Sequence, residues 1–219
     1  MVNNKYEITD IAHEAYPFLH RIRALRDVAY GIKAGDLGGF VEREENLGFG
    51  NFDGRADCSW IFDDAIAAGN SLVNAGSQLH DCAIACDHAF ITQGAVMRGN
   101  ARAEDSSYLR GGDLMDEARI SGCAMVLDDP NHPERTPMLS GNSICYGTVQ
   151  GQVFMEDNAV IFPGETCRND SPDAFVINQK GRSVSRALDR DILRPTEPES
   201  ERPEKKEEMP RRNRRQQTR

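Results

Sequence analysis

The sequence predicts an all-β chain: a parallel β-helix built from hexapeptide repeats, three hexads per coil, with an N-terminal hairpin cap and a charged C-terminal tail. Three observations carry this. Stepping by six from Ser59 gives Ala65, Ser71, Ser77, Ala83, Ala89, Ala95, Ala101, Ser107 and Asp113, and nine of these ten positions hold Ala or Ser. Two places after each stands an apolar residue, from Ile61, Ala67, Val73 and Leu79 through to Leu109 and Met115. The pair before each small residue favours Gly, Asp and Asn, as in Asp63-Asp64, Gly69-Asn70 and Gly99-Asn100. The hexad is therefore turn, turn, small, x, apolar, x. Alternation makes small-x-apolar a short strand with both residues inward, and the preceding pair tolerates the left-handed backbone of a corner.

Each element follows in order. Residues 1–46 read as a cap and lead-in, with strands over 5–11 and 19–28 joined through Pro17. Such a cap hides the open edge of the first coil. The helix is expected over 47–165. Its phase is expected to slip by one residue after Met115, and "LDDPNHPERTPM" marks an excursion loop at about 127–140. Residues 166–193 read as a C-terminal cap, with a strand, a turn at Lys180-Gly181 and a final helix or strand. From residue 194 the chain alternates charge blocks with proline and has almost no apolar residues, so 194–219 is expected to be disordered.

Composition narrows the function classes. Hydrophobic residues make up 39% and aromatics 7%, which suits a narrow interior lined by small side chains. The chain carries a net charge of −9; the tail from Thr196 is +2 and the body therefore −11. An acidic body argues against a broad nucleic-acid surface, leaving only weak contact through the arginines of "PRRNRRQQTR". No apolar run is long enough to span a membrane. The start, "MVNNKYEITD", lacks the apolar core of a signal peptide, so a cytoplasmic location and six reduced cysteines are expected. Cys82 and Cys86, flanked by His80 and His88, fit no standard zinc spacing, so no metal is expected.

The hexads resemble those of the hexapeptide-repeat left-handed β-helix superfamily, as Val73 to Leu79 and Ile91 to Met97 illustrate. The leader "LHRIRALRDVAYGIKAGDLGGFVEREENL", residues 19–47, with "GNFDGRADC" after it, looks like the YdcK-type proteins of enterobacteria and their phage relatives. Ala34 to Phe40 carries the "AGDLGGW" segment, with Phe40 where Trp is usual. The resemblance implies a left-handed helix and a family often labelled a putative transferase. It carries over no catalytic residue.

Eighteen residues per coil stack equivalent outward positions into columns: Trp60, Gln78, Val96, Leu114; then Ile66, Ile84, Arg102; then Leu72, Phe90, Tyr108. Large apolar residues facing solvent mark an interface, so Trp60, Ile66, Leu72, Ile84, Phe90 and Tyr108 are expected to join copies in a dimer or trimer. Arg21, Arg23 and Arg26 form the densest basic cluster of the body and are expected to hold a small anionic ligand by forked hydrogen bonds. The reading is a rigid oligomeric scaffold, without a cofactor, that binds a partner protein (a host protein, in the phage setting) or such a ligand. The alternative is an acyltransferase using acetyl-CoA or another acyl-CoA, with His88, then His80, as general base.

Overall fold

A computed structural model describes residues 2–185. The expected disordered tail, 194–219, and residues 186–193 of the expected C-terminal cap lie outside the described residues. Within them the protein is a parallel β-solenoid of about seven turns with three sheet faces.

Most rungs are two or three residues long. On the first face Ile66–Ala67 pairs with Ile84–Ala85 and then Arg102–Ala103, each 18 residues on. On the second, Leu72, Phe90 and Tyr108 are in register. The third face runs from Trp60–Ile61 through Gln78–Leu79 to Val96–Met97. Every inward position is closed to solvent. Ala67, Ala85 and Ala103 line the inside of the first face, while Val73, Ile91 and Leu109 come from the second and Ile61, Leu79 and Met97 from the third. Small residues on one wall leave room for long ones on the others, which is how a narrow prism reaches interior packing density.

Corners use the left-handed backbone the turn pairs allow. Asp63, Asp81, Asp87, Asp105, Asp116 and Asp157 all have positive φ, between 47° and 60° for the aspartates of this class. Their side chains also link coils. Asp63 Oδ2 accepts the Asp81 N–H at 3.1 Å, and Asp81 Oδ2 accepts that of Gly99 at 2.8 Å. On another corner Asp87 serves Asp105, and Asp105 serves Gly122.

The phase slip lies one hexad earlier than expected. Val96 pairs with Asp113, 17 residues on, and Met97 with Leu114. Gly111 and Gly112 shorten that hexad, so Leu114 points inward and is fully buried, while Asp113 takes the outward place assigned to Leu114. The excursion loop follows: Asp113 pairs next with Met138, and the solenoid resumes in phase.

The N-terminal strands are β1 (Tyr6–Ala12), β2 (His20–Ala24) and β3 (Leu37–Val41). They form an antiparallel meander, and β3 then pairs parallel with Ile66–Ala67, becoming the first rung of the first face. Gly38 and Gly39 permit this. A Cβ on Gly39 would lie 2.4 Å from the Ala65 carbonyl oxygen, and one on Gly38 2.6 Å from that of Ile61. The chain ends its described part in a hairpin, Ala174–Asn178 against Gly181–Ser185, so the last element of the cap is a strand.

The cap also corrects two of the expected interface residues. Trp60 is 1% exposed and Ile66 7%. The Tyr6 ring meets Trp60 edge-on at 6.5 Å, and the lead-in around Tyr30 and Ile32 flanks it. Ile66 packs with Leu19 and Phe40. Both sit on the first coil, where the cap folds over positions that later coils leave open.

Candidate functional site

The second face keeps its apolar column open. Leu72, Phe90 and Tyr108 are half-buried, and Met125, next in register, is 41% exposed. The Phe90 and Tyr108 rings stack at 5.4 Å between centroids. Ile84 is half-buried on the first face, beside a groove of about 680 Å³ between that face and the β1–β2 connection, lined by Ile11, His13, Tyr16, Arg21 and Phe40.

His88 stands at the corner that leads into the second face, two residues before Phe90. It is exposed, and its Nε2 lies 2.9 Å from the Asn70 side-chain nitrogen of the preceding coil. Asn70 is held from the other side: Arg43 Nη2 donates to its Oδ1, while Arg43 Nε donates to the Gly69 carbonyl at 2.7 Å. Glu42 accepts the Gly69 N–H and Asn46 donates to the Gly69 carbonyl, so the lead-in after β3 grips this corner as a unit.

His80 occupies a different corner and does not meet His88. Its ring lies flat on Phe62, with centroids 4.2 Å apart, and its Nε2 pairs with Gln78 Oε1 at 3.1 Å. Burial, reinforced by the Arg98 charge, lowers its pKa below the usual histidine value, with Asp63 and Asp81 pulling the other way.

The three leader arginines are not gathered on one ligand. Arg21 donates to the carbonyls of Gly38 and Asp63 at 2.9 and 2.7 Å, pairs with Asp64 and lies over the Phe40 ring at 4.4 Å. Arg23 pairs with Glu7 across the hairpin, and Arg26 donates to the neighbouring Asp27 carbonyl. Arg21 thus ties β2 to the first coil.

Sequence reading passed over one buried polar cluster. Lys5 is fully buried; its Nζ donates to the Gly48 carbonyl at 2.6 Å and to Ser59 Oγ at 3.2 Å, and stands 3.6 Å from Asp57 Oδ1. Burial pushes the Lys5 pKa down to about 8 against the pull of Asp57. Burial alone would raise the Asp57 carboxyl, but the Ser59 hydroxyl, Lys5 and the amides of Ser59 and Ala75 hold it below the usual value. The only cue was a lysine beside a strand start and an aspartate beside a small-residue position, which no periodicity connects.

Among the described residues no group of three or more His, Cys, Asp or Glu side chains is placed to hold a metal ion, and no helix is long and apolar enough to cross a membrane. No family model matches the chain, and no curated protein matches it.

Proposed function

We propose that this chain is a rigid scaffold that self-associates through the Leu72–Phe90–Tyr108 face into a dimer or trimer and binds a partner protein or small ligand. One observation carries the reading: three consecutive coils leave large apolar side chains half-open in register, with two of the rings stacked. A flat face with a constant rung spacing of about 4.8 Å is complementary to the same face of another copy. The resemblance to hexapeptide-repeat left-handed β-helices, and to YdcK-type phage and enterobacterial proteins, belongs to this reading, as does the cytoplasm as its place of work.

An acyl-CoA-dependent acyltransferase is the second reading. It rests on His88 standing beside the apolar face, where a subunit boundary would form. A general base needs a free lone pair aimed at its substrate; the Asn70 amide lies against Nε2 of His88, and His80 is stacked and half-buried.

Solution mass by light scattering tests the first reading. The wild-type chain is expected to be oligomeric and Phe90→Glu to be a folded monomer. A wild-type monomer at all concentrations overturns it. A thermal shift with acetyl-CoA that disappears in His88→Ala supports the second reading instead.

A further inference from the structure

We infer that Arg43 and Asn70 are positioning residues that hold His88 as a neutral imidazole with its proton on Nδ1, making this corner a fixed hydrogen-bond donor for a main-chain carbonyl of a second copy. The second half of this statement rests on the self-association reading; the first half does not.

The chain of reasoning is one of donors and acceptors. A guanidinium can only donate. Arg43 Nη2 bonds Asn70, so the atom it meets must be the amide oxygen, and that fixes which way the amide faces. Its NH₂ group, which can only donate, is then turned to His88 at 2.9 Å. His88 Nε2 must accept, and in a neutral imidazole the proton is then on Nδ1. Arg43 itself is anchored by the Gly69 carbonyl, so its orientation does not depend on His88. Nδ1 has no partner among the described residues, and the side chain is exposed.

What this donor can take follows from its surroundings. Asp87 is adjacent in sequence, and the His88 N–H bonds the carbonyl of Asp105, whose own carboxylate lies on the same corner. Two carboxylates disfavour an anionic acceptor such as phosphate, leaving a neutral carbonyl. The corner is continuous with the Leu72–Phe90–Tyr108 face, so the carbonyl is one carried by the copy seated on that face.

Long-range proton–nitrogen correlation spectra of the nitrogen-15-labelled full chain at neutral pH read the proton directly, with His88→Gln to assign the signal. The expected wild-type spectrum has Nδ1 protonated and Nε2 bare. In Asn70→Asp the carboxylate accepts, and the proton moves to Nε2 or the ring becomes charged; should that variant not fold, Arg43→Gln is expected to release the amide and mix the two tautomers. A wild-type ring protonated on Nε2, or one indifferent to these substitutions, overturns the positioning role. Phe90→Glu separates the two halves of the proposal: it is expected to abolish association and leave the Nδ1 proton in place. For the carbonyl, sedentation equilibrium by analytical ultracentrifugation is expected to show association about tenfold weaker in His88→Leu and unchanged in His88→Gln. Equal association of wild type and His88→Leu, or a wild type that never associates, overturns the carbonyl assignment and leaves the tautomer result to stand or fall by the spectra.

Discussion

At the scale of single residues, Lys5 is the chain's least expected side chain: an ammonium with no exposure, closing the end of a solenoid. Its hydrogen bonds to Gly48 and Ser59 satisfy groups at the lip of the first coil that no preceding coil can reach. Its folded pKa, about 8, lies below the ordinary 10.5. Between those values the unfolded chain binds more protons, so the Lys5 contribution makes stability rise with pH across that window. The full span corresponds to roughly 3 kcal/mol. Asp57, its pKa lowered, is already ionised there and adds no slope; Tyr6, raised by burial, opposes the rise only above its ordinary value of 10. Urea unfolding of wild type and Lys5→Met at successive pH values checks this: the difference in their stability should grow in favour of wild type from pH 8 to 10.5. A constant difference would show that Lys5 does not titrate in this range.

At the scale of elements, the lead-in strand matters most. β3 reaches the first coil only because Gly38 and Gly39 present no Cβ to the carbonyls of Ile61 and Ala65. Neither glycine has a positive φ, so close approach, not backbone freedom, is what the segment requires. Gly39→Ala forces β3 off the coil and is expected to cost at least about 2 kcal/mol, measured as a lower urea midpoint. It should also expose Trp60, which the cap covers, and so shift its fluorescence to the red. The segment "AGDLGGF" was legible as a signature, and its purpose was not: a contact between residues 39 and 65 leaves no periodic trace.

At the scale of the whole molecule, the solenoid sorts its six free cysteines by position in the hexad. Cys82 and Cys123 stand at exposed corners, whereas Cys145 and Cys167 point into the prism. Burial pushes the Cys145 thiol up to about 12, and burial with the Asp87 charge does the same for half-buried Cys86. A thiol reagent at neutral pH should therefore label Cys82 and Cys123 first and reach Cys145 and Cys167 only on unfolding, as mass spectrometry of a labelling time course would show. Rapid labelling of Cys145 in the folded protein would contradict the inward assignment of its rung.

The sequence by itself determined the all-β solenoid, its eighteen-residue coil, the inward columns and the excursion loop, because each coil repeats the same local chemistry and repetition is visible along a line. Even the misplaced slip followed from this: Asp113 kept the count of six while Gly111-Gly112 had already broken it, and only the pairing of Val96 with Asp113 shows which residue faces inward. Tertiary structure alone decided the rest. Which outward positions stay open depends on where the cap folds, so Trp60 and Ile66 are core and Phe90 is surface. The Arg43–Asn70–His88 chain and the Lys5 knot join residues 18 to 54 positions apart, and their physics lies in distance and direction, which composition and spacing do not encode.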